Sequence, residues 1–212
     1  MNIKFSLLLS ILLSIAFTNS ATAQEKKSKA GDADAQQLLG ITYEFGIDVP
    51  KNDAQALAWY QKAAGQGHVD VQFSLGLMYA DGKDVPKDDA QAVAWYQKAA
   101  EQGHANAQFN LGVMYDYGRG IPKDDAQAAA WYQKAAEQGD ASAQNNLGVM
   151  YDYGSGVPKD DAQAVAWYQK AAEQGDARAQ FNLGRMYANG RGVPKDDAQA
   201  VAWYQKDRKS VV

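Results

Sequence analysis

One unit of 36 residues is written five times along this chain, its beat the dipeptide Trp-Tyr at Trp59, Trp95, Trp131, Trp167 and Trp203. The text around each Trp is nearly constant, a variation on DAQAVAWYQKAAEQG. Units of this length cannot bury their apolar face alone, so a fixed period predicts stacking into a solenoid, each copy resting on its neighbours. Solenoids offer long surfaces rather than closed pockets. The period therefore favours binding over chemistry.

The copies run over residues 31–66, 67–102, 103–138, 139–174 and 175–206, and the last departs after Lys206, where DRKSVV replaces AAEQG. Ahead of them, Lys4, a 13-residue apolar run from Phe5 to Phe17 and the small-x-small Ala21-Thr22-Ala23 make residues 1–23 a signal peptide. The run is short of the ~20 residues that span a bilayer. Export, to the periplasm or outside the cell, is expected, with no membrane partner after cleavage. Residues 24–30 (QEKKSKA) read as a flexible leader and 207–212 as a short tail. A net charge of −4 without a basic stripe argues against nucleic acid. Cysteine is absent, which excludes disulfides, a thiol nucleophile and thiolate metal sites.

Within the third copy, Pro122 precedes Asp124, a good N-cap, with Gln127 three residues on, as in a capping box. Ala128, Trp131, Tyr132, Ala135 and Ala136 then share one apolar face of a second helix (helix B), and Gly139 takes its C-terminal cap. Upstream, Ala107, Leu111, Met114 and Tyr115 share a face of a first helix (helix A), spanning 105–117 and ended by Gly118-Arg119-Gly120. The constant Gly112 and the alanines of helix B let the pair approach closely. Trp and Tyr recur on the apolar face of each copy, so both are expected in the core, at about 2 kcal/mol for each large side chain buried.

The pattern A-x-A-Q-x-x-L-G-x-M-Y-x-x-G-x-G-V-P-x-D-x-x-x-A-x-x-W-Y-x-x-A-A-x-x-G resembles the Sel-1-like repeat family, relatives of the tetratricopeptide repeat. The resemblance implies an all-α fold: a right-handed α/α superhelical solenoid of five helix pairs. It also implies an adaptor that holds proteins together. Three departures stand out. Gly-x-Gly becomes Gly46-Ile47-Asp48 and Gly82-Lys83-Asp84, suggesting different loops there; Thr42 replaces Met; and the last helix is expected to lack its final turn. The missing turn would leave an apolar end open to self-association.

Because the copies can be compared with each other, helix A divides cleanly. Counting from the first Gly of each copy, positions 4, 7, 8, 11, 14 and 15 vary while 5, 6, 9, 10, 12 and 13 hold nearly constant. At ~100° per residue the variable set occupies an arc of about 120°. Constant positions face the packing shared by all copies, so the variable stripe faces something unrepeated. Resemblance to tetratricopeptide solenoids puts it on the concave surface. The partner-binding candidates are Phe73 and Leu77; Asn106, Phe109, Asn110, Val113 and Tyr117; Asn145, Asn146, Val149 and Tyr153; and Arg178, Phe181, Asn182 and Arg185. Aromatic anchors, amides able to bond a peptide backbone and rim charges suit a protein or extended peptide.

Catalytic signals are weak. His68 and His104 occupy an expected N-cap position, and the Asp-Asp pairs before helix B are accounted for by capping and the helix dipole. Neither a metal nor a cofactor is expected. Some cysteine-rich exported relatives are linked to β-lactams, which gives the alternative reading of a cell-wall or β-lactam-binding or hydrolysing protein. This chain has neither their cysteines nor, past residue 23, a Ser-x-x-Lys motif. A non-enzymatic adaptor is the expectation.

Overall fold

The computed structural model describes residues 31–82 and 84–210. The signal peptide, the leader and the last two residues of the tail lie outside that range. Among the described residues there are ten α-helices, two to each repeat, and no strand. They are α1 Ala33–Phe45, α2 Asp53–Gly65, α3 Val69–Asp81, α4 Asp89–Glu101, α5 Ala105–Tyr117, α6 Asp125–Glu137, α7 Ala141–Tyr153, α8 Asp161–Glu173, α9 Ala177–Asn189 and α10 Asp197–Ser210. Odd-numbered helices are the A helices and even-numbered ones the B helices. The chain divides into two compact bodies between Asp88 and Asp89.

Local chemistry sets the boundaries. B helices start from an acidic or amide N-cap: Asn52 accepts from the Gln55 N–H at 3.0 Å, Asp124 from Gln127 at 3.0 Å and Asp196 from Gln199 at 2.9 Å. A helices end on a left-handed glycine, Gly118 (φ 65°) donating its N–H to the Met114 carbonyl. His104 is an N-cap, its Nδ1 accepting from the Ala107 N–H at 3.2 Å. His68 holds the same place on α3, with Nε2 3.2 Å from Asp34.

The core of each copy is small and repeated. Leu111 and Met114 of α5 and Ala128, Tyr132, Ala135 and Ala136 of α6 are buried, as are Leu147, Met150, Ala164 and Tyr168 of the next pair. The constant glycine of helix A is where the Tyr ring lies: a Cβ on Gly112 would stand 2.6 Å from the Tyr132 ring, and one on Gly148 2.7 Å from Tyr168. The Trp expectation needs correction. Tyr60, Tyr96, Tyr132 and Tyr168 are buried, whereas Trp59, Trp95, Trp131, Trp167 and Trp203 are half-buried, Trp167 and Trp203 packing against the edge of the core. A lysine three residues on roofs each indole, 3.9 Å from Trp131 and 4.1 Å from Trp95, at the spacing that stacks side chains on one helix face.

A buried polar link joins the copies. Gln108, 5% exposed, donates to the Ala100 carbonyl at 3.1 Å and accepts from Gln138 at 2.7 Å. Gln144 repeats this with Ala136 at 3.0 Å and Gln174 at 2.8 Å. Each Gln adds a second hydrogen bond to a carbonyl in the last turn of the preceding B helix, Ala100 and Ala136 already accepting from the N–H groups of Gly103 and Gly139 at 3.0 Å, and so ties one copy to the next.

Two further expectations are corrected. Asp48 (φ 59°) and Asp84 (φ 62°) adopt the left-handed conformation of Gly120 (φ 67°), so these two positions keep the backbone angle of the second glycine; Asp tolerates that region better than most side chains. The last helix does not fall short: α10 runs to Ser210 because DRKS, good enough helix formers, fills the turn that AAEQ makes elsewhere. Val201 on α10 is 52% exposed where Val165, its counterpart on α8, is 6% exposed.

Candidate protein-binding groove

In the second body the A helices α5, α7 and α9 carry the variable stripe, and its positions grade from solvent into the seams. At position 15, Tyr117 is 70% and Tyr153 64% exposed. At position 4, Asn106 and Arg178 are exposed. At position 8, Asn110, Asn146 and Asn182 are half-buried. Position 7 reaches deepest: Asn145 is buried, and Phe109 packs on the Ala128–Met150 core with its ring 5.9 Å from Tyr132. Phe181, by contrast, is 51% exposed although its ring lies 5.7 Å from Tyr204. Val113 and Val149 are half-buried.

Six of the candidates meet in one cleft of ≈ 370 Å³: Tyr117, Asn145, Asn146, Val149, Arg178 and Asn182, together with Asp116, Met150 and Ser155. Asn106, Phe109, Asn110, Val113, Tyr153 and Arg185 do not line it. Phe181 lines a shallower depression beside it with Ala177, Arg178 and Asn182. The amides are ordered by one another. Asn182 donates to Asn145 at 3.1 Å, and Asn145 donates to Asn146 at 3.3 Å. Arg178 stands at one rim, donating to Asp176 at 2.9 Å and to the Ser142 hydroxyl at 3.2 Å. At the other end Asp116 accepts from the Tyr132 hydroxyl at 3.2 Å. Burial, reinforced by the Asp116 charge, holds the Tyr132 phenol above its ordinary range, so it stays a donor.

Arg185 is engaged elsewhere. Its guanidinium bonds Asp152 and donates to the Tyr153 hydroxyl at 3.1 Å. Arg191 closes the other side of Asp152 and also reaches Asp161 at 2.6 Å. The variable stripe includes Asp152, at position 14, as an expected groove-facing side chain rather than a buried anchor, and Arg191 was not among the sequence candidates. Their signal lay in the co-occurrence of two arginines in copy five with an aspartate at position 14 of copy four, which is visible only once positions 11 and 17 are known to face position 14 of the preceding copy.

In the first body Leu77 lines a cleft of ≈ 320 Å³ with Gln37, Ile41, Glu44, Tyr60, Val71, Ser74, Met78 and Asp81. Phe73 is half-buried and outside it. Glu44 accepts from the Tyr60 hydroxyl at 2.6 Å, matching the Tyr132–Asp116 pair.

The Sel1 repeat profile matches the chain in five consecutive segments, residues 33–68, 69–104, 105–140, 141–176 and 177–206. Among solved structures, a protective antigen of uropathogenic Escherichia coli displaying the SLR fold is 44% identical, with a TM-score of 0.83; the match covers 90% of this chain and 41% of that one. A Sel1 repeat protein from Oxalobacter formigenes is 38% identical at a TM-score of 0.80, covering 94% and 84%. One from Klebsiella pneumoniae is 25% identical at 0.50, covering 90% and 92%. No protein of curated function matches the chain in sequence. Sel1 repeats are generally protein-interaction modules. With five consecutive matches over helix pairs of the same length, the chain belongs to the Sel1 repeat family.

Proposed function

We propose that this chain is an exported, non-enzymatic adaptor whose A helices hold an extended segment of a partner protein. The observation that carries this reading is the cleft that gathers Tyr117, Asn145, Asn146, Val149, Arg178 and Asn182 from three successive A helices. Chain variation between copies is concentrated there, while the packing surfaces are repeated. Amides beside an apolar floor and exposed aromatic rims can bond a peptide backbone and cover its side chains. Residues 1–23 support export.

A display library of random dodecapeptides, selected on the full chain, tests the reading. Selected peptides should bind the triple variant Tyr117→Ala, Tyr153→Ala, Phe181→Ala at least about tenfold more weakly, since exposed aromatic anchors dominate such interfaces. Far-ultraviolet circular dichroism should be unchanged, because none of the three is in the buried core. Equal affinity for the variant and the unaltered chain overturns the reading.

A further inference from the structure

Two successive seams of the second body use the same positions in opposite ways. Between copies four and five, the buried carboxylate of Asp152 is closed over by Arg185 and Arg191. The Arg185 guanidinium also lies 5.9 Å from the centre of the Tyr153 ring and bonds that residue's hydroxyl. Between copies three and four, Asp116 and Tyr117 stand where Asp152 and Tyr153 stand, but Val149 and Ser155 take the places of the two arginines. The space the arginine heads fill in one seam is the ≈ 370 Å³ cleft in the other, lined by Asp116, Tyr117, Val149 and Ser155.

We propose that this cleft receives an arginine side chain of the bound peptide, its guanidinium on Asp116 and its plane against Tyr117, as Arg185 sits on Asp152 and Tyr153. The proposal rests on the peptide-groove reading above and names the chemistry of its occupant. A guanidinium suits the place because it pairs with a carboxylate through two parallel N–H groups and also stacks on an aromatic face. Asp116 is half-buried and held by the Tyr132 hydroxyl, so its charge is directed and only partly hydrated. Nearby cations are committed: Lys123 pairs with Asp125 at 3.0 Å and Arg178 with Asp176 at 2.9 Å. The first body repeats part of the combination, with the acid Glu44 and the apolar Leu77 at position 11 lining its cleft. In both clefts an apolar side chain holds the position that Arg185 holds in the closed seam.

Peptides selected from the dodecapeptide library by the full chain should be enriched in arginine. Replacing that arginine by citrulline, which keeps the shape and removes the charge, should raise Kd about tenfold or more. Asp116→Asn should erase the arginine–citrulline difference, and so should Val149→Arg, which fills the cleft from within; circular dichroism checks that both variants stay helical. Selected peptides without arginine enrichment, or with equal affinity for the two forms, overturn the proposal and leave the groove standing. Peptides whose preference survives both variants overturn it too. Failure to select any peptide overturns both readings.

Discussion

At the scale of single residues, glycines with similar backbone angles do different work. Gly139 (φ 97°) opens copy four with nothing within 4 Å of where a Cβ would stand, whereas a Cβ on Gly156 (φ 68°) would lie 2.1 Å from the Asp125 carbonyl oxygen. The second glycine of each Gly-x-Gly is thus where a loop sits down on the first turn of the preceding B helix. Gly139→Ala is expected to cost about 1–2 kcal/mol from backbone strain alone. Gly156→Ala should cost about 3 kcal/mol or more, because backbone must also move. Urea unfolding of the two variants measures the difference, and equal losses would contradict the seating described. The caps and helix limits were readable from sequence because they depend on a few adjacent residues, as at Asp124 and Gly118. The choice of Tyr over Trp for the core was not. The two are adjacent on helix B, and the ring-sized gap at Gly112 that selects Tyr132 belongs to the other helix.

At the scale of elements, the clasp of Asp152, Asp161, Arg185 and Arg191 ties α7 and α8 to α9 and its following loop. Asp152→Asn leaves two guanidinium groups facing a neutral amide in a buried place and should cost about 2–3 kcal/mol. The Arg191 hydrogen bond holds the Asp161 carboxyl below its ordinary range. The sign follows: this pair stabilises the fold above the ordinary carboxylate range, near pH ~4, and the contribution is lost as pH falls through the lower folded value. Arg191→Ala should therefore flatten part of the acid limb of a stability–pH curve. An acid limb of unchanged slope would show that the pair contributes nothing there. Comparing copies found the stripe but could not separate its members. Position 14 varies between copies, yet Asp116 and Asp152 there anchor core tyrosines; variation marked unlike neighbours as well as unlike guests.

For the whole molecule, the fixed period means that stability is approximately a sum of unit terms and of terms for the seams between neighbouring units. Removing residues 139–174 joins Gln138 to Gly175, the same pair of residue types found at each boundary. The shortened chain should fold, with a urea m-value lowered by roughly a fifth, since m follows the surface exposed on unfolding. It should also set Arg185 and Arg191 over Asp116. Selected peptides should then no longer be told apart from their citrulline forms, which fluorescence polarisation would read; a retained difference would sink the assignment of those seam positions. The Gly-x-Gly seat has a longer reach as well. Since the nearest neighbours of each seat are backbone atoms of the copy before it, a coding sequence that gains or sheds whole units still specifies a sound scaffold, and a single altered codon at position 11 or 17 changes which seams stay open. Heredity can thus rewrite the guest list of such a protein without renegotiating its architecture.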